Sequence, residues 1–148
     1  MDKVTIEWFD LDDETELNLE KFSGFYALVA ENIEDEDSND VDLLYIGMGY
    51  EQAMNDKFNK PQQEYKFLEN YQNENPEMAT FFMVGRIQEG NSQILSQKFY
   101  SNLECLLVSS NEPVFNKICT EKCTSNKKNI WVNNIGDYEP LEEISKIQ

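Results

Sequence analysis

Three short apolar runs decide what this chain is able to fold into. Residues 24–30 (GFYALVA), 43–47 (LLYIG) and 79–87 (ATFFMVGRI) are rich in aromatic and β-branched side chains, and polar or glycine-bearing sequence bounds each one. Runs of this length and composition read as buried strands rather than helices. Residues 31–42, polar and acidic, separate the first two by about a dozen positions. That spacing predicts an antiparallel hairpin with a long tip.

The remaining segments supply helices and flanks. Residues 51–58 and 62–71 predict helical structure, with Pro61 either interrupting one helix or opening the second. Met54, Phe58, Tyr65 and Leu68 form its inward stripe. Asn75-Pro76 and Glu89-Gly90-Asn91 mark turns. Ser92 is the expected N-cap of a helix over 93–109, whose Leu95, Phe99, Leu103, Leu106 and Leu107 share one face, and Pro113 stops it. Residues 4–9 alternate weakly and predict an edge strand, 10–20 form an acidic connector, and 129–133 predict a short final strand around Trp131. No internal repeat is found. The expectation is an α/β fold of the α+β type, a small central antiparallel sheet of about three strands flanked by helices. Its core is 24–118, with an acidic N-terminal extension or edge strand at 1–23 and a C-terminal extension carrying a short strand at 119–148.

Composition narrows the classes. The 148 residues fit one domain, and 40% hydrophobic with 12% aromatic residues is enough for a packed core. No stretch approaches the ~18 consecutive apolar residues of a membrane span, and residues 1–4 lack a basic region followed by an apolar run. A cytoplasmic address with no membrane partner follows by default. The odd set Cys105, Cys119 and Cys123 predicts reduced thiols rather than a disulfide framework. With no histidine present, a closed four-ligand zinc site would need carboxylates to complete it.

The net charge of −17 is unevenly spread: residues 1–42 hold fifteen acids against two lysines, a balance of −13, and residues 43–148 contribute only −4. Within that second part, 113–130 is locally basic, with Lys117, Lys122, Lys127 and Lys128 against Glu121. Asp35 to Asp37 and their neighbours lack the glycine and ligand alternation of a calcium loop and read as a solvated acidic loop.

In order along the chain, Gly24-Phe25-Tyr26, then Tyr45-Ile46-Gly47, then Glu104 within the helix after the third strand, then Pro113 and Asn116, form a pattern that resembles the GIY-YIG nuclease superfamily. The likeness spans about 24–117, and the chain resembles a divergent member. The resemblance implies metal-dependent hydrolysis of DNA phosphodiester bonds. It gives Glu104 as the ligand of one Mg²⁺ or Mn²⁺, Tyr26 as the group that helps activate water, and Tyr45 as lining the same pocket. Gly47, Asn116 and Lys117 fall on the substrate side. The chain departs from the pattern where the family carries an arginine on its first helix, about eight residues past YIG. Asn55 stands there, and Lys57 is the nearest cation to take its part. Lysine lacks the bidentate fork of arginine. Arg86, the chain's single arginine, has no counterpart role in the family.

Each of these residues also has a structural reading. Tyr26 and Tyr45 suit aromatics packed between sheet and helices, Glu104 and Lys57 suit solvated helix charges, and Asn116 suits a turn or cap. Two functions follow. One is an endonuclease with DNA as partner. The other is a catalytically degenerate GIY-YIG fold whose acidic N-terminal third imitates a phosphate backbone and inhibits a basic DNA-binding protein, in the manner of phage counter-defence.

Overall fold

The computed structural model describes residues 2–11, 22–35, 40–54, 58, 64–88, 96–117 and 130–146. Strand β1 (Asp2–Asp10), β2 (Phe22–Asn32) and β3 (Val41–Gln52) come first, followed by helix α1 (Phe67–Glu74) and β4 (Met78–Ile87). Helix α2 (Gln97–Asn111), β5 (Ile130–Gly136) and β6 (Ile144–Lys146) complete the order. The strands form one mixed six-stranded sheet, β3-β2-β4-β1-β5-β6, which curls into a half-barrel.

The expected three-strand sheet flanked by helices is therefore corrected: the protein is mostly sheet. The three strands read from sequence are neighbours within it, with β2 in the middle, antiparallel to both β3 and β4. What sequence missed is the other half. Strand β1, expected at an edge, lies inside the sheet, antiparallel to β4 and parallel to β5. A parallel pair needs a crossover, and here it joins residues more than a hundred positions apart. Helix formation at 51–52 is also corrected, since β3 runs through Gln52 with a positive-φ residue, Glu51, at its irregular end. The α2 cap is Ser96, whose Oγ accepts from the Phe99 N–H at 3.1 Å. Ser92, Leu95, Pro61, Asn55 and Lys57 lie outside the described residues. Cys105 is disulfide-bonded, against the expectation of reduced thiols; its partner lies outside the described residues.

Both faces of the sheet carry core, which explains why β2 is apolar throughout rather than alternating. Helix α2 covers one face, packing Phe99, Leu103, Leu106 and Leu107 on Ile6, Trp8, Phe25, Ala27 and Met83. On the other face Met54, Phe58, Tyr65 and α1 cover Phe22, Tyr26, Leu28 and Phe82. A buried polar network pins the late strands to α2. The Trp8 indole N–H donates to Asn134 Oδ1 at 2.9 Å, Asn134 Nδ2 donates to Ser145 Oγ at 3.0 Å, and Asn111 Nδ2 donates to the same oxygen at 3.0 Å. Among the described residues no helix is long and apolar enough to cross a membrane.

Candidate functional site

The site forms where β3 departs from regular pairing. Leu28 pairs with Tyr45 but Val29 pairs with Leu43, so Leu44 is an extra residue. A bulge of this kind re-aims a side chain. Here it lets Leu44 and Tyr45 pack on the same face, the face of Tyr26 and α1. Tyr26 pairs across the strands with Gly47. A Cβ built on Gly47 would overlap the Tyr26 ring and hydroxyl, so the phenol lies directly on the glycine backbone. Glycine in a strand commonly marks such a close approach.

Tyr26 is only 4% exposed, and its ring stacks on Tyr45 with centroids 6.3 Å apart and planes at 25°. Phe58, Phe82 and Tyr65 hem it in at 5.9, 6.4 and 6.5 Å. Tyr45 is half-buried between Tyr65 at 5.4 Å and Phe67 at 6.2 Å.

Glu104 occupies the middle of α2 and is half-buried. Its neighbours one turn before and after, Tyr100 and Val108, are buried, as are Leu103 and Leu107. With Gln97 and Ser101 exposed on its other flank, Glu104 lies at the border between the buried and solvated sides of the helix. Its charge reaches both phenols. Burial pushes Tyr26 up to about 12, and the charges of Glu104 and Glu64 push the same way, against a lowering contribution from Tyr65. Burial, then Glu104, also raises Tyr45. Among the described residues, the charged side chains acting on these two tyrosines are acidic. Two stacked phenols therefore lie in the field of acidic side chains, Glu104 on both and Glu64 on Tyr26.

Asn116 has a structural task. Its Oδ1 accepts from the Ile46 N–H at 2.9 Å, and its Nδ2 donates to the Ile46 carbonyl at 2.8 Å. The Val114 and Phe115 N–H groups donate to the Leu43 and Leu44 carbonyls at 3.1 and 2.8 Å. Residues 114–116 thus seal the free edge of β3, the standard hazard of an outer strand. The turn into this segment is set by Glu112, left-handed at φ 50°, followed by Pro113. Phe115 stacks on Phe67 at 4.3 Å, and Tyr71 donates to Asp42 at 2.7 Å, so α1 is tied to the same edge.

Of the sequence-predicted set, Tyr26, Tyr45 and Gly47 come together, the charge of Glu104 reaches both phenols from α2, and Asn116 holds the strand that carries Tyr45 and Gly47. Lys117 is exposed, and Arg86 lies over the Phe22 ring at 5.6 Å; neither is among the charges acting on Tyr26 or Tyr45. Lys57 lies outside the described residues. The residue that sequence reading took only for core is Tyr65. Its signal was a phenol at an inward position otherwise filled by Met, Phe and Leu. No group of three or more Asp, Glu, Cys or His side chains capable of holding a metal gathers among the described residues. No known protein family model matches this chain, and neither a curated protein nor a solved structure matches it.

Proposed function

We propose that this chain is a divergent GIY-YIG-type endonuclease that hydrolyses DNA phosphodiester bonds with Mg²⁺ or Mn²⁺. The observation that supports this reading best is that the Glu104 charge acts on both Tyr26 and Tyr45, which stack together beside Gly47. A single carboxylate fits Mg²⁺, which takes one or two protein carboxylates and fills its shell with water and substrate phosphate. Glu104 would hold the ion, which when bound polarises a phosphoryl oxygen and makes its water more acidic. Burial first, and then the charges of Glu104 and Glu64, keep the proton on Tyr26, so it would act as a donor.

Nicking of supercoiled plasmid at low salt tests the proposal, with the intact chain beside Glu104→Ala. Metal-dependent nicking that disappears in the variant is the expected result. No nicking by the intact chain with either ion overturns it.

A second reading, the acidic DNA mimic that binds a basic DNA-binding protein, draws on a cleft of about 960 Å³. Asp10, Glu31, Asp137 and Glu139 line it, with Phe81 and Leu141 as apolar contacts. That reading predicts salt-sensitive binding to such a protein and no nicking.

A further inference from the structure

On the α2 side of the sheet the inward-facing positions continue past the point where the core ends. Val4, Ile6 and Trp8 are the inward positions of β1, and the next in that alternation is Asp10. On β2 the inward series Phe25, Ala27 and Val29 continues to Glu31. Glu31 pairs directly with Val41 of β3, a valine left 40% exposed. Phe81, two residues before the buried Met83 on β4, packs against the same core while lining the cleft of about 960 Å³.

That cleft crosses the sheet. With strands ordered β3-β2-β4-β1-β5, Val41, Glu31, Phe81, Asp10 and Gly136 place one lining residue on each of five neighbouring strands. Strands lie about 4.8 Å apart, so the path over them is roughly 19 Å, the length of about six residues of extended chain. Val41, Phe81 and the buried Leu141 give it an apolar floor. Asp10, Glu31, Asp137 and Glu139 are exposed around that floor, and no lysine or arginine is among the described residues that line it.

We propose that this cleft holds an extended lysine- or arginine-bearing segment of another protein. The strand order sets its pattern. β4, with Phe81, lies between β2, with Glu31, and β1, with Asp10. The strands carrying these two carboxylates are thus about 10 Å apart, three residues of extended chain. Basic residues three apart, with an apolar residue between them over Phe81, match that order. A nucleic-acid strand is repelled by the same carboxylates. The inference names the kind of segment by which the partner of the second reading would be held, and it does not depend on nicking.

The test is fluorescence anisotropy of the full chain with a labelled peptide of lysines three apart separated by leucine and serine. A counterpart with glutamate for lysine is the control, and spermidine is the competitor. The lysine peptide should bind at low salt and the glutamate peptide should not. Glu31→Gln with Asp137→Asn should weaken binding about tenfold, the scale of two well-placed exposed ion pairs. Glu69→Gln with Glu74→Gln removes the same charge from α1, which covers the opposite face, and should leave binding unchanged. All four side chains are exposed, so each double variant should melt at the wild-type temperature. Equal weakening by the two double variants overturns the proposal, by reducing it to attraction towards the overall negative charge. Displacement by spermidine at the peptide's own concentration also overturns it, by making the apolar floor irrelevant. So does the absence of binding by the intact chain, and none of these results alters the nuclease reading.

Discussion

Replacing Gly47 by alanine tests the packing on which the candidate site depends. The added methyl would fall on the Tyr26 Cζ, Cε2 and hydroxyl. A collision with the end of a flexible side chain is ordinarily cheap, because the side chain swings away. Tyr26 has nowhere to go: Tyr45 stacks on it at 6.3 Å, Phe58 and Phe82 close the other sides at 5.9 and 6.4 Å, and the residue is 4% exposed. Overpacking of this kind costs about 1–3 kcal/mol, and the lower unfolded-state entropy of alanine returns roughly 0.4–1 kcal/mol. A net loss of about 1–2 kcal/mol corresponds to a melting point lower by roughly 2–8 °C for a chain of this size. Near-ultraviolet circular dichroism should change with it, since the Tyr26–Tyr45 stack is disturbed. In a Tyr26→Ala background the same glycine change should be neutral or stabilising, because the obstacle is gone. Gly47→Ala melting at or above wild type, with an unchanged near-ultraviolet spectrum, would refute the contact.

Two further outcomes follow from the same geometry. Asn116→Ala removes both hydrogen bonds to Ile46 while the Val114 and Phe115 N–H groups stay on the β3 edge, so the urea midpoint should fall by the equivalent of roughly 2–3 kcal/mol with little change in slope; an unchanged midpoint would mean that the Asn116 amide does not hold that edge. Stability should be insensitive to Tyr26 ionisation at neutral pH and fall as pH climbs from 10 towards about 12, because the unfolded chain releases a proton that folded Tyr26 retains. The Tyr26 share approaches about 2–3 kcal/mol at full titration, and urea unfolding of Tyr26→Phe should show a shallower alkaline decline; parallel curves for the two proteins would count against the burial of that phenol.

The legible part of this fold was what neighbouring residues encode. The runs at 24–30, 43–47 and 79–87 are the interiors of β2, β3 and β4, and the leucine-rich periodicity marked α2. Pairing partners were not legible. Val4, Ile6 and Trp8 alternate as a strand covered on one face should, but alternation does not say whether one neighbour or two will pair with it. The Asn133-Asn134 pair in β5 looks like loop chemistry. Asn134 is nonetheless fully buried, because the Trp8 indole, Ser145 and the Glu142 carbonyl take up its amide. Met54 and Phe58 kept their inward spacing, and the Phe58 N–H donates to the Met54 carbonyl at 3.2 Å, but the strand ahead of them ran longer than expected.

The candidate site divides in the same way. Residue order put forward Tyr26, Tyr45, Gly47 and Glu104 as candidates, and each sits on an element whose type its own sequence announces. The bulge at Leu44 was hidden, because one unpaired residue leaves no compositional trace. The edge-sealing role of Asn116 was hidden too, as it depends on a contact seventy residues distant.

The central claim is that Glu104 and the two stacked tyrosines form one metal-using site. Mn²⁺ titration of protein with ¹³C-labelled tyrosine rings tests this without requiring turnover. The account predicts that the Tyr26 and Tyr45 signals broaden at Mn²⁺ concentrations that leave Tyr138 sharp, and that Glu104→Ala abolishes the difference. Equal broadening of all tyrosines, or selective broadening that survives Glu104→Ala, would contradict it.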